Sequence, residues 1–282
     1  MLNEIPNLDE LIAMALREDV GDGDHSTLAC IPPTAMGKAK MVAKKPGILC
    51  GAEVGQRVFR LVNPQLNVTL LKHDGDELSV GDIVMTVEGP SGSILTAERT
   101  ALNFMQRLSG IATETHRMVQ MLEGLNTQLL DTRKTTPNMR LLEKYAVKCG
   151  GGTNHRIGLY DMVMLKDNHV DFAGGIEQAI DRTHQYLESK GKALKIEIEV
   201  RNLDELERVM QHGGVDRIML DNFDIPTLRK AVERIGGKYE TEASGGITDA
   251  TLRPYAETGV DFISVGALTH HIKSLDLSLV SF

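Results

Sequence analysis

The 282-residue chain has no tryptophan and only 4% aromatic residues, so it lacks the ring surfaces on which proteins stack unpaired nucleobases. It is also short of positive charge, with 31 Lys+Arg against 39 Asp+Glu and a net charge of -8. A nucleic-acid binder needs the opposite balance, although a local basic patch can survive inside an acidic protein. Cysteine is scarce too. Cys30, Cys50 and Cys149 cannot all pair and show no metal-ligand spacing, which reads as ordinary thiols in a reducing compartment. No apolar stretch approaches the ~20 residues of a membrane span. The N-terminus, MLNEIPNLDELIAMALREDV, is charged and helically periodic and has no signal-peptide core. No low-complexity tract suggests disorder. The expectation is a cytoplasmic protein whose partners are small molecules, not nucleic acid or membrane.

What is present falls into two patterns, and the 41% hydrophobic content suffices for one large or two ordinary domains. From Gly37 to Leu95 the chain reads as short β runs with glycine punctuation, GKAKMVAKKPGILCG and NVTLLKHDGDELSVGDIVMTVEGPSGSIL, whose alternation and DG or GD turns suggest an antiparallel sheet. The period then changes to helical, with Thr96 as the expected N-cap and Leu102, Met105, Leu108 and Ile111 on one face. A domain boundary is expected within or just after this helix. Beyond it, apolar runs at Leu129–Leu130, Met162–Leu165, Ile196–Val200, Ile218–Leu220, Thr241–Ala243 and Phe262–Val265 alternate with amphipathic segments. That alternation means parallel strands with crossover helices. The lack of a Gly-x-Gly-x-x-Gly fingerprint favours an α/β barrel of roughly six or seven strands over a dinucleotide-binding sheet.

In such a fold the working site lies at the carboxyl ends of the strands. Those ends carry Arg133-Lys134, Lys166-Asp167, Glu199, Asp221-Asn222, Ser244-Gly245-Gly246 and Gly266-Ala267 in chain order. Within KIEIEV, period-two alternation puts Ile196, Ile198 and Val200 on one face and Lys195, Glu197 and Glu199 on the other. With the apolar face against the helices, the charged face points into the barrel, where each charge must be paired, solvated or bound to a ligand. A purely internal ion-pair network is the competing reading. ASGGIT and SVGALTHH place small residues between a strand and a helix, where backbone N–H groups form an anion nest suited to phosphate. Arg133, Lys134, Arg156 and Lys166, with His155 able to donate, suit a dianionic acid. Carboxylates between the two ends suit Mg²⁺. A phosphorylated sugar diphosphate and a small dicarboxylic acid together satisfy all three zones.

These same residues carry a resemblance. TRKTTP…LLEKYAVKCGGGTNHRIGL with MVMLKDNH, together with REDVGDGDHST, ERTALNFMQRLSGIAT, LDNF, SGGI and SVGALTH, resembles the quinolinate phosphoribosyltransferase family, from about Glu18 to His270. Asn138-Met139 stands where that family usually has Gly-Leu, and His271 where Ser is common. The resemblance implies an N-terminal α/β sandwich (residues 1–111, rejoined by 271–282) and an incomplete, open α/β barrel (112–270), assembled as a homodimer or higher oligomer. It implies transfer of 5-phosphoribosyl from its 1-pyrophosphate to quinolinate with loss of carbon dioxide. Lys134, Glu199 and Asp221 would be catalytic, with Glu199 and Asp221 also meeting Mg²⁺. Quinolinate would contact Thr132, Arg133, Lys134, His155, Arg156 and Lys166, plus Arg99 from the neighbouring subunit. The phosphoribosyl pyrophosphate would contact Glu199, Asp221, Ser244, Gly245, Gly246, Val265, Gly266, Ala267 and His270. Positioning and electrostatics would suffice, with no dedicated general base.

Three other readings are weaker. HDGDELSVGDIVMTVEGPSGSIL resembles a lipoyl- or biotinyl-carrier hairpin, but the stretch expected to form the tip, Glu88 to Ser93, has no lysine to modify. A zinc enzyme using His155 and His169 has no recognised ligand spacing behind it. An inactive scaffold is disfavoured because the strand-end charges are all present.

Overall fold

The structure is a computed structural model that describes residues 5–282. The chain divides into two compact units, the first running through His116 and including Thr135–Gly151 and Ala267–Phe282, the second comprising Arg117–Lys134 and Gly152–Gly266. The expected boundary after residue 111 falls inside a long helix, and the segment 135–151 belongs to the first unit, not to the barrel stretch 112–270. Elements follow in the order α1 (Leu8–Val20), α2 (His25–Cys30), β1 (Met36–Ala43), β2 (Gly47–Ile48), α3 (Ala52–Val62), β3 (Asn67–Leu70), β4 (Glu77–Leu78), β5 (Ile83–Pro90) and α4 (Ser91–Gln120). Then come β6 (Gln128–Leu130), α5 (Arg140–Cys149), β7 (Val163–Leu165), α6 (Asp167–Ala173), α7 (Ile176–Lys190), β8 (Ile196–Val200), α8 (Leu203–His212) and β9 (Arg217–Asp221). The last elements are α9 (Ile225–Ile235), β10 (Glu240–Ser244), α10 (Asp249–Ala256), β11 (Phe262–Ser264), α11 (Ala267–His270) and β12 (Leu277–Ser281).

In the first unit, β1, β3 and β5 join β12 in an antiparallel sheet of order β12-β1-β5-β3. The chain's last strand thus pairs with its first. Alternation in β1 buries Ala39, Met41 and Ala43 against the core and leaves Lys38 exposed and Lys40 and Val42 half-buried on the other face. Three expectations change here. Residues 52–62 form α3, whose buried Val54, Val58 and Phe59 recur at helical spacing. Ser91–Leu95 is not strand but the first turn of α4, which therefore starts ahead of Thr96. Thr96 does not cap that helix; its hydroxyl donates to Asp24 Oδ2 at 3.1 Å, while Asp24 caps α2 by accepting the Thr27 N–H at 3.1 Å. Glu88 and Gly89 pair with β1 inside β5, so the carrier-type hairpin tip does not exist.

Glycine sets how closely α3 approaches α4. Any Cβ on Gly55 would collide with the Met105 side chain. Met105 is itself fully buried with Leu102, Leu108 and Ile111, the face that the helical period marks. Burying side chains of this size contributes about 1.5–3 kcal/mol each.

The second unit holds a six-stranded parallel sheet of order β6-β11-β10-β9-β8-β7. β6 and β7 lie at opposite edges of that order, so the strands make an open, incomplete barrel with no closing pair. Ile196, Ile198, Ile218, Leu220, Ala243 and Ile263 are buried on one face. The register Glu197↔Arg217↔Glu240 and Glu199↔Met219↔Glu242 puts a charged layer on the other. Lys195 does not join that interior. It is exposed at the amino end of the sheet, 3.3 Å from Glu240.

Candidate active site

Each candidate residue of the second unit stands where a β-strand hands over to a loop. β6 ends at Leu130, and the next residue, Asp131, is fully buried. Asp131 accepts the His155 backbone N–H at 2.8 Å and the Asn154 side-chain amide at 2.6 Å. It thereby ties the loop carrying Arg133 to the loop carrying His155 and Arg156. The Thr132 hydroxyl accepts the Lys134 N–H at 3.1 Å, shaping the turn between them. Burial, and then the charge of Arg133, hold the Arg156 guanidinium below its ordinary pKa. The two arginines therefore share one electrostatic neighbourhood and repel each other across it. Arg156 is steadied by donation to the Met162 carbonyl at 3.2 Å.

At the neighbouring strand ends the sign reverses. Lys166, which follows β7 and caps α6, reaches Glu199 Oε2 at 2.8 Å. Burial first, and the Glu199 charge second, push the Asp221 carboxyl upward. A carboxyl group whose proton affinity a second carboxylate raises is short of positive charge, which Lys166 supplies only in part. The hard oxygen donors of Glu199 and Asp221 suit Mg²⁺.

Asn222 adds a feature that the strand-end reading passed over. It adopts a left-handed φ of 54°, donates from its side-chain amide to Asp221 Oδ2 at 2.6 Å, and donates its backbone N–H to the Ser244 carbonyl at 2.9 Å. Its side-chain oxygen lies where a Cβ on Gly245 would be. Only glycine fits there, and Gly245 and Gly246 both take positive φ, at 99° and 61°. The carboxylate end of β9 and the glycine turn after β10 are thus built as one piece. Val265 is buried just beyond β11, with its N–H on the Leu130 carbonyl at 3.0 Å, and Gly266 follows.

Below this rim lies a second charged layer. The His155 ring is 2.9 Å from Glu197 and 3.2 Å from Glu242, and Arg217 is 3.3 Å from Glu242, with both glutamates fully buried. Arg217 also stacks on Phe262, 4.0 Å from the ring centroid. Burial opposes a charged imidazole, but Glu197 and Glu242 outweigh it and hold the His155 pKa up at about 9. Burial and the Glu242 charge likewise push Glu197 upward. The other ring nitrogen, Nδ1, accepts the Arg156 N–H at 2.7 Å. His155 therefore has both nitrogens engaged and acts as a strut between the buried carboxylates and the Arg156 backbone. Nitrogen and carboxylate atoms of His155, Glu197 and Glu242 lie within 4.8 Å of one another, a spacing a cation could use. Arg217 already brings a positive charge to that spot.

The structure gathers Thr132, Arg133, Lys134, His155, Arg156, Lys166, Glu199, Asp221, Ser244, Gly245, Gly246, Val265 and Gly266 into the second unit, whereas Arg99, Ala267 and His270 belong to the first. Arg99 is exposed on α4. His155 and Lys166, expected to meet the acid, also hold carboxylates of the protein; the half-exposed Lys166 ammonium keeps further hydrogens for a ligand beyond the one on Glu199. His169 does not join His155. Its Nδ1 accepts the Lys166 N–H at 3.0 Å, a helix-capping contact. Asp131, Glu242 and Arg217 were missed as candidates. The alternation that exposes Glu197 and Glu199 also runs through RIMLD and ETEAS, and would have marked the last two.

Opposite charges held at the carboxyl rim of a parallel sheet, beside a glycine turn, define an α/β enzyme for anionic small molecules. Comparison with known proteins makes that class specific. The model of the quinolinate phosphoribosyl transferase C-terminal domain matches residues 111–280, and that of its N-terminal domain matches residues 24–109. The chloroplastic nicotinate-nucleotide pyrophosphorylase [carboxylating] of Oryza sativa subsp. japonica is 43% identical over 288 residues, covering 97% of this chain and 77% of that one. The probable nicotinate-nucleotide pyrophosphorylase [carboxylating] of Bacillus subtilis (strain 168) is 41% identical over 272 residues, covering 96% and 92%. The solved nicotinate-nucleotide pyrophosphorylase of Francisella tularensis superposes with a TM-score of 0.94 at 40% identity, covering 100% of this chain and 99% of that one. The chain belongs to the quinolinate phosphoribosyltransferase family. Among the described residues, no helix is long and apolar enough to cross a membrane.

Proposed function

We propose that this chain transfers 5-phosphoribosyl from 5-phosphoribosyl 1-pyrophosphate to the ring nitrogen of quinolinate, releasing pyrophosphate and carbon dioxide and forming nicotinate mononucleotide for NAD synthesis. One observation carries the reading. Arg133 and Arg156 share a neighbourhood at one part of the rim, while Glu199 and Asp221 do so at another. A dicarboxylate answers the first pair, and a sugar losing an anionic leaving group answers the second.

Each guanidinium fork can take one carboxylate bidentately, which fixes the pyridine plane and aims its nitrogen. Thr132, Lys134, His155 and Lys166 complete the acid's surroundings on the family pattern. Ser244, Gly245 and Gly246 offer backbone N–H groups to the 5-phosphate, joined on the same pattern by Val265, Gly266, Ala267 and His270. As the bond to pyrophosphate lengthens, positive charge grows on the ribose, and Glu199 and Asp221 favour it, with Lys134 at the departing oxygens. Mg²⁺ carried on the pyrophosphate would lie against Glu199 and Asp221 and neutralise the leaving charge. Once the ring nitrogen is quaternised, its positive charge stabilises the electron pair that the 2-carboxylate leaves on C2, carbon dioxide departs, and C2 takes up a proton from water. No side chain has to remove a proton.

Arg99 acts in this reading from a neighbouring subunit, within a two-fold homodimer that exchanges the same surface in both directions. The reducing setting inferred from the cysteines supports a cytoplasmic location. The direct test is incubation with the ribosyl pyrophosphate, Mg²⁺ and either quinolinate or nicotinate. Pyrophosphate and carbon dioxide should appear in equal amounts with quinolinate and neither with nicotinate. Turnover of nicotinate, or pyrophosphate without carbon dioxide, would overturn the substrate assignment. Mixing Arg99→Ala with Arg133→Ala subunits should restore up to about a quarter of wild-type activity if the site is shared, since half the dimers are mixed and half their sites intact. No recovery after proven subunit exchange would refute the sharing.

A further inference from the structure

The first unit brings together two cysteines that lie far apart in sequence. Cys50 stands in the link between β2 and α3, and Cys149 is the last residue of α5. Their sulfurs and a carboxylate oxygen of Asp74 all lie within 4.8 Å of one another. Both backbones are held. Cys50 donates its N–H to the Ser109 hydroxyl at 2.9 Å, and its carbonyl accepts that hydroxyl at 3.1 Å. The residue after Cys149, Gly150, lies so close to the Ala112 carbonyl that no Cβ could be added. Asp74 accepts the Ala52 N–H and the Tyr145 hydroxyl, each at 2.8 Å, which fixes the wall beside the sulfurs. The two thiols differ in access, since Cys50 is buried and Cys149 is partly exposed.

We propose that Cys50 and Cys149 form a peroxide-reactive dithiol, with Cys149 the attacking sulfur and Cys50 the resolving one. The environment assigns the roles. The Cys50 thiol donates toward Cys149 and lowers its pKa, against the effects of burial and of the Asp74 charge. Burial pushes Cys50 itself well up, so it stays protonated. A partly exposed sulfur with a lowered pKa, beside a protonated partner within reach, is the arrangement of thiols that sense oxidants. The Cys149 thiolate attacks one oxygen of hydrogen peroxide, the O–O bond breaks, and hydroxide leaves and takes up a proton as water. The resulting sulfenic acid is attacked by the Cys50 sulfur, whose proton departs with the sulfenic oxygen as a second water. Two thiols are oxidised by two electrons and one peroxide is reduced to two waters. The product is a disulfide that ties the entry of α3 to the end of α5. Neither cysteine is among the residues assigned to ribosyl transfer, so the pair stands or falls independently of that reading.

Cys30, exposed on α2 with its thiol on the Ser26 carbonyl at 3.0 Å, is the internal control. The full chain is treated with hydrogen peroxide, and thiols are followed by peptide mapping under non-reducing conditions. Cys149 should be consumed about tenfold faster than Cys30 or more, and the map should show a peptide joining Cys50 to Cys149 that dithiothreitol separates. Cys50→Ala should stop the reaction at a sulfenic acid on Cys149 that dimedone captures, and Cys149→Ser should leave Cys50 unreacted. Should Cys50→Ala fail to fold, the wild-type map decides alone. Faster loss of Cys30, or oxidation of Cys149 without the link to Cys50, would overturn the proposal.

Discussion

At its two ends, strand β9 carries charges of different fates on one face. Arg217, at the amino end, is buried against Glu240, Glu242 and Phe262, its charge taken up by the protein's own carboxylates. Asp221, at the carboxyl end, sits at the rim beside Glu199, its proton affinity raised by burial and by that neighbour. β8 repeats the contrast, with Glu197 sealed against His155 and Glu199 held by a lysine that is half exposed. Alternation decides which way a charged side chain faces, but depth along the strand decides whether it meets protein or ligand. The lower layer encloses its two glutamates, Glu197 and Glu242, with the cationic partners His155 and Arg217, whereas the upper layer leaves Glu199 and Asp221 at the rim with one half-exposed lysine. Repulsion kept in a folded protein is a sign of a missing partner.

The contrast can be broken from either side. The largest expected effect lies in the lower layer. Glu242→Ala opens a buried place and leaves His155 only Glu197 and Arg217 only the partly exposed Glu240, which should cost about 3–5 kcal/mol in urea unfolding. A loss under about 1 kcal/mol would mean that water or another group already screens the layer. In the upper layer, Arg156→Ala should cost about 2–5 kcal/mol of quinolinate binding, or roughly 30-fold or more in affinity by calorimetry, with the ribosyl pyrophosphate still bound. Unchanged quinolinate affinity would remove Arg156 from the clamp.

The smallest effect sharpens the comparison through pH. His155 titrates near 6.5 when unfolded and about 9 in the folded chain. Its contribution is thus fully present below about pH 6.5 and lost as pH rises through about 9. The Arg156 N–H on Nδ1 opposes the second ring proton, so the loss should be about 1–3 kcal/mol between those limits. Denaturant midpoints at pH 6.5 and 9.5 should differ accordingly in the wild type and much less in His155→Asn. Equal pH slopes in both would show that the proton resides elsewhere.

Much of this was legible in the sequence because the periods are long-lived. The six parallel strands, the helices between them and the strand-end residues all follow from alternation and turn chemistry. Local pattern does not report how deep a residue lies. KIEIEV reveals an inward face but not that Glu197 has a histidine and Glu199 a lysine. Lys195 shares their face by alternation, yet it stands at the amino end, in solvent, on Glu240. Helix α3 lies within the stretch read as short β runs, and its Gly55 serves a close contact with Met105 that local pattern does not report. The convergence of Cys50 and Cys149 depends on tertiary packing alone, and no spacing rule reaches it.

The separation of layers is tested most directly on β9, by comparing Arg217→Ala with Asp221→Ala for urea unfolding and for turnover at saturating substrates and Mg²⁺. Arg217→Ala should lose about 3–5 kcal/mol of stability while its folded fraction keeps turnover within a few-fold of wild type. Asp221→Ala should unfold within about 1 kcal/mol of wild type and lose most of its turnover. Normal turnover in Asp221→Ala, or unchanged stability in Arg217→Ala, would contradict the account.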